Sequence, residues 1–288
     1  MILVTGATGH LGRATVEFLL DKVPAAEIAV LARDLQKASD LKALGVDVRI
    51  GDYSDYDSLV KAFHGVDKLL LVSGNDIANR AAQHESVVKA AKEAGVKHLV
   101  YTSVDNTRPA QSVISFVEDS HLATAKAVKE SGLSWTMLNN NLYADVLPVF
   151  LGDKVLEQGV FFPAGNGKVP FATRRDMAEA AANVLSGEGH EGKEYAIAGE
   201  TQIGFGDVAE ILSRLSGRQL SYAAPDVKTY VETLSAAGVP AEFTGFSSAF
   251  AGAIAAGEFE TTKSDLPALL GRKPATVEEF LKETYKLG

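Results

Sequence analysis

The sequence predicts an α/β fold, a doubly wound parallel sheet with a smaller C-terminal α/β lobe, and three observations carry that expectation. Short apolar runs alternate with helical patterns through the first half of the chain. Gly6, Gly9 and Gly12 stand at three-residue spacing directly behind the first apolar run. After Tyr143 the alternation loosens into shorter elements. Strands separated by helices of this length imply parallel pairing through right-handed crossovers. The expected division places the main domain at 1–150 and the smaller lobe at 151–288, with some of the lobe's strands returning to the main sheet.

The first strand spans residues 2–4, and the glycine turn follows it. A helix comes next, with Leu11, Ala14, Thr15, Phe18 and Leu19 on one face and Glu17 and Asp21 off it. Strands are expected at 28–31, 46–50, 68–72 and 98–102, and helices at 35–44, 58–63 and 78–94 between them. Gly65 and Gly95 sit where helix C-caps should fall, just before the next strand. A helix at 121–130 leads to a sixth strand at 134–138. Beyond Tyr143 the pattern gives a strand at 159–163, a turn at 165–167, a helix at 176–185 and a strand at 194–197. A helix at 207–215, a strand at 220–222 and helices at 226–237, 249–256 and 277–286 complete the chain.

Composition narrows the function. With 288 residues and 46% hydrophobic content, the chain can bury one large core or a core plus a lobe. It has no cysteine, so disulfides, a thiolate nucleophile and Cys-type zinc sites are excluded, and no metal site is expected. A net charge of −9 argues against a nucleic-acid partner, which needs clustered Lys and Arg. No apolar run approaches the ~20 residues of a membrane span. The early glycine turn leaves no room for a signal peptide, and a cytoplasmic monomer or homodimer is expected.

The glycine turn between a strand and a helix is the signature of a dinucleotide site. Glycine permits positive φ in the turn and lets a diphosphate lie against bare backbone. The free N–H groups and positive end of the next helix hold the phosphates. Gly6, Thr8, Gly9, His10, Leu11 and Gly12 form this cradle. At the end of the second strand stands Arg33, whose planar fork can pair with the 2′-phosphate of NADPH. The alternative is Asp34 as a ribose ligand, which would suit NADH. Asp52 and Tyr53, after the third strand, could meet the adenine, or form an ordinary turn. Val72, Ser73 and Gly74 end the fourth strand beneath the nicotinamide-side ribose, and Thr102 ends the fifth with a hydroxyl facing the nicotinamide.

This glycine spacing and strand order resemble the extended and atypical short-chain dehydrogenase/reductase superfamily, whose usual chemistry uses Tyr-x-x-x-Lys. None of the eight tyrosines here has lysine four residues on. The helix that should carry the pair reads Ser120-His121-Leu122-Ala123-Thr124-Ala125-Lys126. The chain is more closely similar to the NmrA-like atypical subfamily, in its branch of type 2 NAD(P)H:quinone oxidoreductases and triphenylmethane reductases. The resemblance is carried by Val4-Thr5-Gly6-Ala7-Thr8-Gly9, Gly51-Asp52-Tyr53, Gly65-Val66-Asp67-Lys68 and Tyr101-Thr102-Ser103. It continues through His121-Leu122-Ala123-Thr124, Leu142-Tyr143 and Ala172-Thr173-Arg174. Two departures stand out. Ala125 replaces the glutamate of the family's His-x-x-x-Glu, and Asn139 replaces the arginine of its Leu-Arg-Asn.

The resemblance implies an NADPH-dependent reductase of quinones or similar conjugated electrophiles, dyes included. Such acceptors spread the incoming charge, so water can supply the proton and the protein must provide proximity and orientation. Asn140 would set the nicotinamide amide and Tyr143 would wall the cleft; otherwise they are a polar loop after a strand. His121 is either a hydrogen-bonded structural histidine or a proton donor. The competing function is a non-catalytic dinucleotide sensor that signals redox state to a partner, for which the missing tyrosine–lysine pair is equally suitable.

Overall fold

The computed structural model describes residues 1–105 and 111–288. Strands β1 (Ile2–Val4), β2 (Ile28–Ala32), β3 (Asp47–Ile50), β4 (Lys68–Leu71), β5 (His98–Val104) and β6 (Ser134–Asn140) arise in the first half. The second half adds β7 (Val160–Phe161), β8 (Lys168–Val169), β9 (Lys193–Ile197), β10 (Ile203–Gly204) and β11 (Tyr222–Ala223). One seven-stranded sheet runs in the order β3-β2-β1-β4-β5-β6-β9, and every neighbouring pair in it is parallel. The strand order reverses between β1 and β4, the place where such sheets open a crevice at their carboxyl ends.

Alternation along each strand builds a core on either face. Ile2, Val4, Val30, Leu70, Val100 and Leu138 pack under the helices His10–Leu20, Arg174–Ser186 and Leu266–Leu270. Leu3, Ala29, Leu31, Leu69, Leu71, Leu99 and Met137 point the other way, beneath Tyr56–Phe63, Arg80–Glu93 and Ser115–Glu130. Asp55 starts the first of these by accepting from the Ser58 N–H at 3.2 Å. Gly65 and Gly95 end two of them in the left-handed conformation, at φ +73 and +79.

A third core, rich in aromatic residues, forms the lobe. Phe162 stacks on Phe150 at 4.9 Å and packs on Phe205 at 4.4 Å, with Tyr230 and Phe259 buried beside them. Two small sheets, β8 with β10 and β7 with β11, border it. The second half of the chain does not stay in the lobe. β9 joins the main sheet beside β6, and the helices Arg174–Ser186 and Leu266–Leu270 cover the face that β1 and β2 share.

Several helices depart from the sequence pattern. The segment expected to be one helix at 35–44 is a 3₁₀ turn, Gln36–Ala38, and a short helix, Ser39–Ala43. Asp34 tightens the chain there by accepting from the Gln36 N–H at 2.8 Å. The helix expected at 121–130 begins at Ser115, and that expected at 249–256 is the end of Ala241–Ala255. Leu147–Leu151 and Leu266–Leu270 were hidden by Pro148 and Pro267, which read as breakers but occupy the first turn, where no N–H is needed.

Candidate active site

The glycine turn divides its work among three positions. Gly6 has φ +61, and a Cβ there would lie 3.1 Å from Cβ of Val72. At Gly12 a Cβ would sit 2.5 Å from the Gly6 carbonyl oxygen, so the helix can approach the turn only without a side chain. At Gly9 the sole neighbour within 4 Å of a built Cβ, among the described residues, is that same oxygen at 3.3 Å. Gly9 therefore faces outward with Thr8 and His10, all three exposed, while the Leu11 side chain is buried in the core. Leu11 can serve a ligand only through its backbone. Bare backbone at a helix start, with a face that a side chain would fill, fits a diphosphate.

Beside this turn an open cleft of about 720 Å³ is lined by Thr8, Arg33, Asp34 and Lys37. Arg33 is 84% exposed, and its Nε stands 4.0 Å from an Asp52 carboxylate oxygen. Lys37, one helical turn further on, was not singled out by the sequence reading. The Arg33-x-x-x-Lys37 spacing was its only signal, and an exposed lysine is too common to notice. Two cations at the mouth fit a phosphate monoester. Asp34 is engaged in the Gln36 turn, and Asp52 accepts from the Ser54 N–H at 2.8 Å.

Tyr53 is placed differently from its expected position against an adenine. Its hydroxyl donates to the Val72 carbonyl at 2.9 Å and also bonds Thr5 Oγ1, and its ring meets His84 edge-on. The side chain thus props the glycine turn against β4 from below. The Thr102 hydroxyl, expected to face the nicotinamide, is buried and turned toward β4, where it accepts from the Ser73 N–H at 2.9 Å.

These contacts belong to a ladder. Three consecutive N–H groups leaving β4 each donate to a side chain: Val72 to Thr5 Oγ1 at 2.9 Å, Ser73 to Thr102 Oγ1 at 2.9 Å and Gly74 to His84 Nε2 at 3.0 Å. The segment that runs beneath the crevice is thereby fixed residue by residue.

Behind the ladder lies a buried polar relay. Arg80 Nη1 is 2.8 Å from His121 Nε2, and His121 Nδ1 is 2.7 Å from the Tyr101 hydroxyl. His84 Nδ1 is 3.0 Å from Thr124 Oγ1, which donates to the Ser120 carbonyl at 2.7 Å. The directions follow from donors that cannot accept. A guanidinium and a backbone N–H only donate, so Nε2 of both histidines is bare and Nδ1 carries the proton. Burial, reinforced by the Arg80 charge, holds the pKa of each histidine down to about 3. Both ring nitrogens of His121 are thus engaged within the relay, to Arg80 and to Tyr101.

Tyr143 is half-buried and lies near the Asn140 side chain. Burial raises the pKa of its hydroxyl. The ring lies under the Arg174 guanidinium, 5.0 Å from its centroid, and the backbone bridges to Ala172. Arg174 is itself paired with Asp145 at 3.6 Å. Asn140 is buried at the end of β6, beside the Tyr143 wall. Arg80 and His84 are, like Lys37, invisible as candidates in the sequence, because Arg80-x-x-x-His84 looks like the solvated face of a helix.

A parallel sheet whose order reverses between β1 and β4, with bare glycine backbone facing outward there, is a Rossmann fold, and the comparisons with known proteins make this a dinucleotide-binding oxidoreductase. The chain belongs to the NmrA-like family, whose family model matches residues 1–281. Quinone oxidoreductase 2 of Escherichia coli (strain K12) is 37% identical over 289 residues, spanning 100% of this chain and 99% of that one. The crystal structure of Citrobacter sp. triphenylmethane reductase complexed with NADP(H) matches with a TM-score of 0.91 at 38% identity, covering 98% of this chain and 99% of that one. The NADPH complex of Escherichia coli quinone oxidoreductase QOR2 matches with a TM-score of 0.91 at 35% identity, covering 99% and 100%. Among the described residues no helix is long and apolar enough to cross a membrane, and no group of His, Cys, Asp or Glu could hold a metal ion.

Proposed function

We propose that this protein is an NADPH-dependent reductase that passes hydride to quinones or similar conjugated electrophiles, dyes included, with no side-chain acid. The observation that carries the reading is the full-length match to relatives solved with NADP(H), in a chain whose cleft beside the glycine turn is lined by Thr8, Arg33 and Lys37. Gly9, with the N–H groups of the first helical turn, would receive the diphosphate, and Thr8, Arg33 and Lys37 the adenosine 2′-phosphate. Asn140 and Tyr143 would hold the nicotinamide end and wall the acceptor space. When bound, the reduced nicotinamide supplies hydride from its C4 carbon.

The protein's part is then orientation. The ladder at 72–74 keeps the floor of the crevice rigid, and Tyr143, packed under Arg174, would hold a flat acceptor over it. An electrophilic acceptor needs no protonation before hydride arrives, which agrees with a His121 that is neutral and fully engaged. Solvent protonates the product. The test is NADPH absorbance on adding p-benzoquinone to the purified protein. Steady oxidation at a rate proportional to protein supports the reading. Tight NADPH binding with no oxidation by any quinone or dye would overturn it in favour of a sensor.

A further inference from the structure

The two ends of the seven-stranded sheet are treated differently. At one end the chain itself occupies the outer side of β9. The Ala196 N–H donates to the Asp265 carboxylate at 2.8 Å, and the Asp265 N–H donates to the Ala196 carbonyl at 2.8 Å. At the other end β3 pairs only with β2. The Gly51 N–H donates to the Ala32 carbonyl at 3.1 Å, which sets the alternation along β3. Arg49 turns its N–H and carbonyl toward β2, so Val48 and Ile50 turn theirs away from the sheet. Among the described residues no side chain or loop backbone bonds those outward groups.

Edge strands are usually blunted by a proline, a lysine, a bulge or a covering segment. β3 reads Asp47-Val48-Arg49-Ile50 and matches β2 in unbroken register, so it has none of the first three. Leu44, just before it, and Ile50, at its end, are exposed. Its two charged side chains share one face. Arg49 Nε donates to Asp47 at 2.8 Å, and Arg49 Nη1 donates to the carbonyls of Ala62 and His64 at 2.6 and 2.8 Å. The guanidinium therefore lies along the neighbouring helix and leaves the strand's outer backbone clear.

We propose that the β3 edge is the docking surface for a second copy of this chain, the two β3 strands running antiparallel about a two-fold axis at Val48. A two-fold contact must be self-complementary, and this strand is. With Val48 opposite the partner's Val48, the outward N–H and carbonyl groups of each face those of the other. Ile50 then meets the partner's Val46. Asp47 stands opposite the partner's Arg49, and Arg49 opposite the partner's Asp47. Sliding to the next register either way would set Arg49 against the partner's Arg49, or Asp47 against the partner's Asp47. Like charges directly opposite each other are unfavourable, so the charges select one register. The two sheets become one continuous sheet, and the covered β9 edge at each far end stops its growth.

The experiment is sedimentation velocity on the whole chain over a dilution series. The parent should be a dimer that dissociates on dilution. Ile50→Lys, at an exposed position, should keep the parent's circular dichroism and raise the dimer dissociation constant about tenfold or more. Asp47→Lys, which faces the partner's Arg49, should do the same. The chain has no cysteine, so Val48→Cys reports the register without background. Cα atoms of an opposed hydrogen-bonded pair lie about 5.5 Å apart, within reach of a disulfide, so mild oxidation should give a covalent dimer. Val227→Cys, exposed on the helix Val227–Ala236, is the control and should stay uncoupled. A parent that is monomeric at every concentration overturns the proposal. So does a dimer that both lysine variants leave intact, or equal cross-linking of the two cysteine variants.

Discussion

Gly9 and Gly12 stand three residues apart, yet a side chain fails at each for a different reason. At Gly12 it would strike the Gly6 carbonyl, so Gly12→Ala should be destabilised by more than ~1 kcal/mol, seen as a lower urea midpoint. Gly9 faces the crevice, so Gly9→Val should fold and lose NADPH binding. Calorimetry on the folded variant checks this, and undiminished affinity would refute it. Arg33→Ala should weaken NADPH by about ten- to a hundredfold and NADH far less, since only NADPH carries the 2′-phosphate. Dissociation constants for both cofactors at one ionic strength decide the point; equal losses would move attention to Asp34. The glycines and Arg33 were legible because each stands at a fixed offset from a strand end, the glycines at regular three-residue spacing. Lys37 and Arg80 were not, because a lysine or arginine on a helix is ordinarily solvated, and only the fold reveals that one lines a cleft and the other is buried.

At the scale of elements, strands were legible because a parallel sheet buries whole runs of apolar side chains, as in β1, β2 and β4. Short helices were less so. Leu147–Leu151 is too brief to show a period, and Ala241–Ala255 buries Thr244 and Ser247 while exposing Phe246, so no apolar-in, polar-out face marks it. The buried relay was illegible for a related reason: it joins Arg80–Glu93 to Ser115–Glu130 through side chains that no local pattern connects. Its main task is to lock those two helices against β4 and β5. His121→Ala should therefore cost ~1–3 kcal/mol of stability by stranding Tyr101 and Arg80, yet leave kcat/KM for a benzoquinone within about tenfold of the parent. Urea titration and steady-state kinetics on one preparation test both halves. A loss beyond a hundredfold in turnover with stability intact would return His121 to the role of acid.

For the whole molecule, the two neutral histidines link folding to pH. The pKa of His84 and His121 is about 3 in the folded chain, against the ordinary value of ~6.5. Between those values the unfolded chain binds protons that the folded chain does not, so stability rises with pH across the window. It is lost as pH falls from about 6.5 toward 3, with a slope approaching ~1.4 kcal/mol per pH unit for each histidine. Urea midpoints at about pH 7, 6 and 5 should fall progressively, and a variant with both histidines replaced by asparagine should show a flatter slope over the same range. An identical slope in that variant would refute the assignment.

The return of β9 to the main sheet also governs how the chain can be made. β6 is complete once Asn140 has left the ribosome, but the strand that pairs with its outer edge ends only at Ile197. During that interval β6 presents unpaired backbone along 136–140, a stretch that includes Met137 and Leu138, which are buried in the finished protein. An exposed, apolar sheet edge of this kind recruits strands from other chains. A fragment cut after residue 150 would keep that edge open permanently and should aggregate, because the sheet is closed by a piece of the chain that follows the cut.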